Sequence, residues 1–373
     1  MKNIIYRPFI WIMVFVLGVG LACNIPGLTP STPEPVKTLP PLPTNTNTPS
    51  QPTATPTEAI LTKTPTLPVP EEEFLKLGNA TYVHTGGIFE VLPPLGWNVE
   101  ETTASISIEP DDQSGFIYFV STNTGYQLPP EAFENFVNAR EINFFGGFDD
   151  YVELDFDVDY DAGIAMAEKE LLFGGVLQRV ITYYDQQGQV IFSLDFWADA
   201  DKAPVYFPTY DQIFDSVVVD SGLAAEQELY WWIFDFSGPN NLFTIEVPNS
   251  WWYEQSVGEY TVVDTFYSPD EHAVIQNIAY DDGNPITKTE AGQFALDLLR
   301  NFYASDITIT DDTIQPDGSE RLTWYSPGGN YSGVSFFESR GTTFLLFTAM
   351  YDNPFEDIYL DILDYIVGTY EVP

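Results

Sequence analysis

A chain of 373 residues is long enough for two domains of ordinary size, and 55 Asp and Glu against 13 Lys and Arg give it a formal charge of −42. A surface of that sign repels nucleic acid and anionic lipid headgroups; it suits cationic partners, divalent ions or plain solvation. Aromatic residues make up 16% of the chain, which separates it from disordered acidic tails, and a single cysteine excludes an internal disulfide.

The chain opens with Lys2 and Arg7, runs apolar from Phe9 to Ala22 and reaches its one cysteine at Cys23. This is the order of a secretory n-region, h-region and small-residue cleavage site. Leu21, Ala22 and Cys23 resemble the lipobox of bacterial lipoproteins; Gly20 stands where Leu or Val is usual, with Val19 one position further back. The resemblance implies a signal peptide over 1–22 and a diacylglycerol thioether on Cys23, normally with an added N-terminal acyl chain. Two or more chains give stable anchoring, so the expected place is a cell membrane, on its extracytoplasmic face at the cell surface or in the periplasm. The other reading is an uncleaved transmembrane helix, for which the run is short of the ~20 residues a span needs.

Residues 23–70 join Cys23 to a Thr/Pro-rich segment, as in Thr29-Pro-Ser-Thr-Pro-Glu-Pro35. Such a segment buries no core and lacks an amide donor at each proline. It is expected to be a disordered, polyproline-like stalk with threonines open to O-linked sugars. At about 3.1 Å per residue its full reach is on the order of 140 Å.

The chain beyond the stalk reads as one unit written twice. Phe89-Glu-Val-Leu-Pro-Pro-Leu-Gly-Trp97 matches Phe243-Thr-Ile-Glu-Val-Pro-Asn-Ser-Trp251 at a displacement of 154, and Gly174-Gly175 falls on Gly328-Gly329 at the same displacement. Gly188 falls on Gly341 at 153, Phe192 and Leu194 on Phe344 and Leu346 at 152, and Ile213–Val218 on Ile362–Val367 at 149. A period near 150 marks duplicated domains, not a solenoid. The polar, small stretch around Gly222 places the boundary, giving domains 71–222 and 223–373. Together these carry 9 basic and 53 acidic residues.

Each copy predicts short strands, a helix, a four-strand meander and a closing helix. The first strands are Ile88–Leu92, Ser105–Glu109 and Phe116–Thr122 in copy one, and Leu242–Val247, Tyr260–Thr265 and Ala273–Tyr280 in copy two. Pro129-Pro130 starts the first helix, with Phe133, Phe136 and Val137 on one face. Thr287-Lys-Thr-Glu290 has capping-box spacing, and Ala291, Ala295, Leu298 and Phe302 form the buried stripe. The meanders are Tyr151–Tyr160, Ile164–Phe173, Leu177–Asp185 and Gln189–Ala198, then Ile307–Gln315, Glu320–Tyr325, Tyr331–Glu338 and Thr343–Tyr351. Thr209-Tyr-Asp-Gln212 caps one closing helix, and Asn353-Pro354 starts the other, with Phe355, Tyr359, Ile362 and Ile366 as its stripe. The fold class is α+β: two tandem antiparallel sheets, each covered by helices.

This order, and above all the Phe-x-[Val/Ile]-x-x-Pro-x-x-Trp opening of each copy (Phe89 to Trp97, Phe243 to Trp251), resembles the PsbP-like fold, an α/β/α sandwich. Copy two departs from it with Asn249-Ser250 where copy one has Leu95-Gly96. The resemblance implies a non-enzymatic binding or assembly role; no ligand site carries over.

No residues stand out as catalytic. The only histidines, His84 and His272, do not occupy equivalent positions, and neither adjoins a nucleophile motif. No cofactor motif is present. In 149–168, Glu153, Asp155, Asp157, Asp159 and Asp161 alternate with Val152, Leu154, Phe156, Val158 and Tyr160, predicting a strand with one acidic and one core-facing side. From Asp157, the acids Asp157, Asp159, Asp161 and Glu168 take positions one, three, five and twelve of a calcium loop. The glycine required at position six is Ala162, with Gly163 one late, so a solvated strand and hairpin is the simpler reading. The doublets Trp231-Trp232 and Trp251-Trp252 each place one ring on either side of a strand; Trp232 and Trp252 are candidates for stacking on a sugar or a partner, against burial between the domains. The expected function is a lipid-anchored, extracytoplasmic, non-catalytic binding or assembly protein, with an envelope protein or polysaccharide as partner. The alternative is a cell-surface carbohydrate- or calcium-binding module.

Overall fold

A computed structural model of the chain describes residues 75–159, 161–238 and 241–372. The expected signal peptide, Cys23 and stalk lie outside the described residues. Repeat one contains β1 (Tyr82–Val83), β2 (Phe89–Val91), β3 (Asn98–Glu101), β4 (Ser105–Glu109), β5 (Gly115–Asn123), α1 (Pro130–Arg140), a π-helical turn (Glu141–Phe145), β6 (Asp149–Asp159), β7 (Ile164–Phe173), β8 (Val176–Gln187), β9 (Val190–Asp199), α2 (Ala203–Ser216), β10 (Val218–Val219) and α3 (Ser221–Ala224). Repeat two contains β11 (Ile233–Ser237), β12 (Thr244–Pro248), β13 (Trp252–Val257), β14 (Thr261–Tyr267), β15 (Ala273–Tyr280), α4 (Lys288–Phe302), β16 (Thr308–Ile314), β17 (Glu320–Ser326), β18 (Tyr331–Arg340), β19 (Thr343–Asp352) and α5 (Glu356–Thr369).

Each repeat builds one seven-stranded antiparallel sheet of the same order, β3-β4-β5-β9-β8-β7-β6 in the first and β13-β14-β15-β19-β18-β17-β16 in the second. The order arises from sequence-local hairpins: the meander β6 to β9 folds on itself and docks its last strand on β5. β9 is buried on both faces, as the central strand of a sheet covered on both sides must be. Its even residues Phe192, Leu194 and Phe196 pack with Tyr210 and Ile213 of α2, while Ile191 packs with Phe133, Phe136 and Val137 of α1 on the opposite face. In repeat two Phe347 and Ala349 pack under α5, and Phe344 and Leu346 under α4. One helix per face makes a thin sandwich in which the sheets outweigh the helices.

The repeated opening performs the same task twice. Trp97 N donates to Pro94 O at 3.3 Å and Trp251 N to Pro248 O at 3.0 Å. The turn delivers Trp97 edge-on to Tyr206 and Tyr210 of α2, and Trp251 edge-on to Tyr359 of α5. The capping box at Thr287 and Glu290 is formed as its spacing requires.

Several expectations need correction. β3 and β13 are additional strands, with Asn98-Val-Glu-Glu and Trp252-Tyr-Glu-Gln-Ser-Val too polar to signal them. Thr209 caps nothing: α2 begins at Ala203 with Pro204 in its first turn, and Thr209 sits buried in mid-helix, donating to Leu75 O at 2.9 Å. Phe302 ends the α4 stripe but is 43% exposed. The alignment of Phe192 and Leu194 with Phe344 and Leu346 is one residue out of register. The hairpins place Val190 on Thr343, hence Phe192 on Leu345 and Leu194 on Phe347, and a one-residue slip exchanges the faces of a sheet. In β6 the apolar residues face the core only in part. Bulges between Asp149 and Val152 and between Glu153 and Asp155 shift the alternation, so Tyr151 upstream and Phe156 and Val158 downstream turn inward while Val152 and Leu154 are exposed.

Candidate functional site: a buried ion network at the seam between the repeats

The C-terminal end of α1 widens into the π-helical turn, a distortion that often re-aims side chains at functional positions. It brings Arg140 and Glu141 against the inner face of β7, β8 and β9, where Lys169, Thr182, Tyr184 and Asp195 point. All four charged groups are buried: Arg140 is 1% exposed, Glu141 4%, Lys169 0% and Asp195 0%. Arg140 Nη2 donates to Asp195 Oδ2 at 2.7 Å and Nη1 to the Tyr184 hydroxyl at 2.7 Å. Tyr184 in turn donates to Glu141 Oε1 at 2.5 Å. Lys169 Nζ pairs with Glu141 Oε2 and donates to Thr182 Oγ1 at 2.9 Å, and Thr182 donates to Asp195 Oδ1 at 2.8 Å. The two cations and two anions close a ring of hydrogen bonds, which is how buried charges are tolerated.

Aromatic rings line this ring of bonds. The Lys169 ammonium lies 3.5 Å from the centroid of Phe145, and the Arg140 guanidinium 4.8 Å from that of Trp232 and 5.2 Å from that of Tyr184. Burial pushes the Lys169 pKa down to about 8 despite the pull of Glu141 and Asp195. Burial also lowers the affinity of Arg140 for its proton, but Asp195, Tyr184 and Glu141 outweigh it and hold the guanidinium above its ordinary range. Tyr184 is pushed well up, mainly by burial.

The same sheet positions in repeat two are neutral. With the β8–β9 and β18–β19 hairpins superposed, Asp195 falls on Thr348, Thr182 on Ser335 and Tyr184 on Phe337. Across the next ladders Lys169 falls on Trp324 and Tyr118 on Gln276. Trp324 Nε1 donates to Ser335 Oγ at 2.9 Å, Ser335 and Thr348 share a hydrogen bond of 2.9 Å, and the Tyr303 ring stacks on Trp324.

The network abuts the seam between the repeats, both of which belong to one compact unit. Trp232, whose ring covers Arg140, is contributed by the start of repeat two, and Trp231 Nε1 donates to Ser121 O at 2.7 Å. Asn143, in the π-helical turn, donates to Asn249 O at 2.7 Å and Trp251 O at 2.8 Å. Asn123 ends β5 by donating to Ala225 O and Gln227 O at 2.9 Å each, and its own carbonyl accepts from Tyr230 N at 3.0 Å. Asp270 Oδ2 accepts from Tyr126 of repeat one at 2.5 Å and from Tyr359 of α5 at 2.6 Å.

The residues singled out in the sequence fall elsewhere or in other roles. Cys23 lies outside the described residues. Asp157 and Asp159 lie on the exposed side of β6 and Asp161 in the turn after it; Asp159 Oδ1 accepts from Ala162 N at 3.1 Å. Glu168 is drawn to Arg179 instead, at 2.6 Å. Among the described residues no three His, Cys, Asp or Glu side chains gather as a metal cage. Trp232 sits half-buried in the seam, and Trp252 lies half-buried and stacked on Tyr267 with centroids 4.1 Å apart. His84 Nε2 bonds Thr102 O at 2.7 Å and its Nδ1 accepts from Gly86 N; His272 Nδ1 pairs with Asp352 at 2.8 Å and stacks on Phe355. A shallow groove of about 450 Å³ beside α4 is lined by Tyr280, Phe294, Glu290 and Asp297, but Glu290 closes the capping box and Asp297 accepts from Gln293.

No protein-family model matches the chain, and no curated protein matches it. Solved structures similar to it include the solution structure of cyanobacterial PsbP (CyanoP) from Synechocystis sp. PCC 6803, at TM-score 0.31 and 12% identity over 40% of this chain and 96% of that one. A crystal structure from Bacteroides thetaiotaomicron VPI-5482 is similar at TM-score 0.27 and 10% identity over 70% of this chain and 87% of that one. The immunity protein TplEi of the T6SS from Pseudomonas aeruginosa is similar at TM-score 0.22 and 11% identity, over 74% and 97%. Likenesses at these values assign neither family nor activity.

The network residues Arg140, Glu141, Lys169 and Asp195 are absent from the candidates drawn from sequence. A signal exists for two of them. Lys169 shares the inward parity of Ala165, Ala167 and Leu171, and Asp195 interrupts the apolar run Ile191–Trp197.

Proposed function

We propose that this protein is a non-catalytic binding or assembly factor with PsbP-like repeats, held at the extracytoplasmic face of a membrane by acyl chains on Cys23. The observation that supports the non-catalytic reading is the commitment of its acid–base groups to the scaffold. His84 and His272 are each tied to neighbouring residues, and Lys169, the buried amine with its pKa brought nearest neutrality, is enclosed by Glu141, Thr182 and Phe145. A seam of part-buried hydrogen bonds between the repeats supports a scaffold role, because it ties two sheets into one body. The anchor reading draws on Leu21-Ala-Cys23.

The test is detergent phase partitioning of the full chain from a lipoprotein-processing host. Wild type is expected in the detergent phase at the mature mass, and Cys23→Ser in the aqueous phase or as an unprocessed precursor. Detergent partitioning of Cys23→Ser at the mature mass refutes the anchor.

A further inference from the structure

Sheet one ends in a long strand paired on one side only. β6 runs for 11 residues against β7, and no strand among the described residues pairs with its other side. The other outer strands offer less: β3 has 4 residues, β16 has 7, and β13 packs against α1. Downstream of the second bulge, Asp155 to Asp159 run in unbroken register opposite Glu168 to Ile164. Exposed apolar side chains flank this edge, with Val152 52%, Leu154 44% and Ile164 47% accessible.

An edge of that length is a template for another strand. Proteins usually blunt such edges with lysines, prolines, bulges or brevity. β6 carries bulges only in its first half and contains neither lysine nor proline. Instead it carries six carboxylates: Asp149, Asp150, Glu153, Asp155, Asp157 and Asp159. On a chain of charge −42 these repel the edge of a second copy, and like-charge juxtaposition is an effective way to exclude one partner while admitting another. A basic strand meets no such barrier.

We propose that the free edge of β6 is a strand-addition site for an extended basic segment of a partner protein, in which basic and apolar residues alternate. The alternation is dictated by β6 itself. Cross-strand neighbours share a face; residues opposite Asp155, Asp157 and Asp159 are therefore basic, and those opposite Phe156 and Val158 apolar. Main-chain bonds supply affinity and the alternating side chains supply selectivity. This inference rests on the reading of the protein as a binding factor and names the chemistry of the partner.

The test measures binding of the full chain, in detergent at physiological salt, to a synthetic decapeptide of alternating Lys and Val. The controls are oligolysine of equal length and the alternating peptide N-methylated at every second residue, in both phases. The alternating peptide is expected to bind at least about tenfold more tightly than either control. Asp157→Lys is expected to weaken it by about tenfold or more with an unchanged melting temperature, and Asp311→Lys on β16 to leave it within about twofold. Absence of binding, equal binding of oligolysine, indifference to N-methylation, or an equal loss from Asp311→Lys each overturns the proposal. None of these outcomes bears on membrane partitioning through Cys23.

Discussion

The two repeats share a strand order and part company beneath their middle helices. Under α1, Arg140, Glu141, Lys169 and Asp195 are buried with Tyr184 and Thr182; under α4, the matching positions hold Trp324, Phe337, Thr348 and Ser335. One arrangement pairs its polar groups with ions, leaving only Arg140 Nε without a partner, and the other with hydroxyls and an indole N–H. The same sheet therefore forms over either interior, and the fold is set by features the repeats have in common: the Phe-to-Trp opening, the glycine hairpins and a central strand apolar on both faces. What the ions add is fragility of a particular kind. A buried ion pair is weakly stabilising as a whole, but each member left without its partner is strongly destabilising. Repeat one should then respond sharply to changes that repeat two does not register, and the seam at Trp232 and Asn143 should transmit part of that response.

The largest effect is expected from Asp195→Thr, which installs the residue of the matching position in repeat two. It strands the Arg140 guanidinium and should cost about 3–5 kcal/mol in urea unfolding monitored by tryptophan fluorescence. The converse, Thr348→Asp, buries a carboxylate with no cation and should cost a similar amount. A loss below about 1 kcal/mol for Asp195→Thr would mean that the network relaxes or takes up water. A smaller effect is expected at the seam. Asp270→Asn keeps one acceptor for two tyrosine hydroxyls and introduces donors among them, costing about 1–3 kcal/mol. It should also raise the rate of proteolysis between 222 and 232, which a change confined to repeat two would not do.

The smallest expected effect sharpens the comparison through pH. The Lys169 pKa is about 8 in the folded chain and near its ordinary 10.5 when unfolded. Between those values the unfolded state binds more protons, so this group makes stability rise as pH increases from about 8 towards 10. Above about 10 the buried tyrosines, whose pKa values are raised by burial, reverse the trend, because the unfolded chain then loses protons the folded chain retains. The rise should be present in wild type and absent in Lys169→Met, read as the urea midpoint against pH. A midpoint that falls from pH 8 upward in wild type contradicts the assignment.

Much of the architecture was legible because it is local. Glycine turns at Gly174-Gly175, Gly188 and Gly341, the capping box at Thr287 and the paired openings each act over a few residues, and the predicted strands lie within a residue or two of the observed ones. The errors arose where a distant neighbour decides. A bulge in β6 reversed the facing of Val152 and Leu154, a slip of one residue misaligned Phe192 with Phe344, and Thr209 was drawn inside α2 by a helix beginning at Ala203. β3 and β13 are strands because β4 and β14 hold them, not because their own sequences alternate. The network was half legible, since Lys169 and Asp195 are polar residues at inward positions. Their partners Arg140 and Glu141 depend on the π-helical turn, which has no signature in Arg-Glu-Ile-Asn-Phe-Phe.

The central claim is that Lys169 and Glu141 are coupled, so that losing either side chain costs more while the other remains buried. A double-mutant cycle with Lys169→Met, Glu141→Gln and the combined variant, measured by urea unfolding at pH 7, tests it most directly. Each single change should cost about 3–5 kcal/mol, and the double should cost at least about 2 kcal/mol less than their sum. Additive losses, with no coupling beyond about 0.5 kcal/mol, would show that the two charges do not depend on one another and would contradict the account.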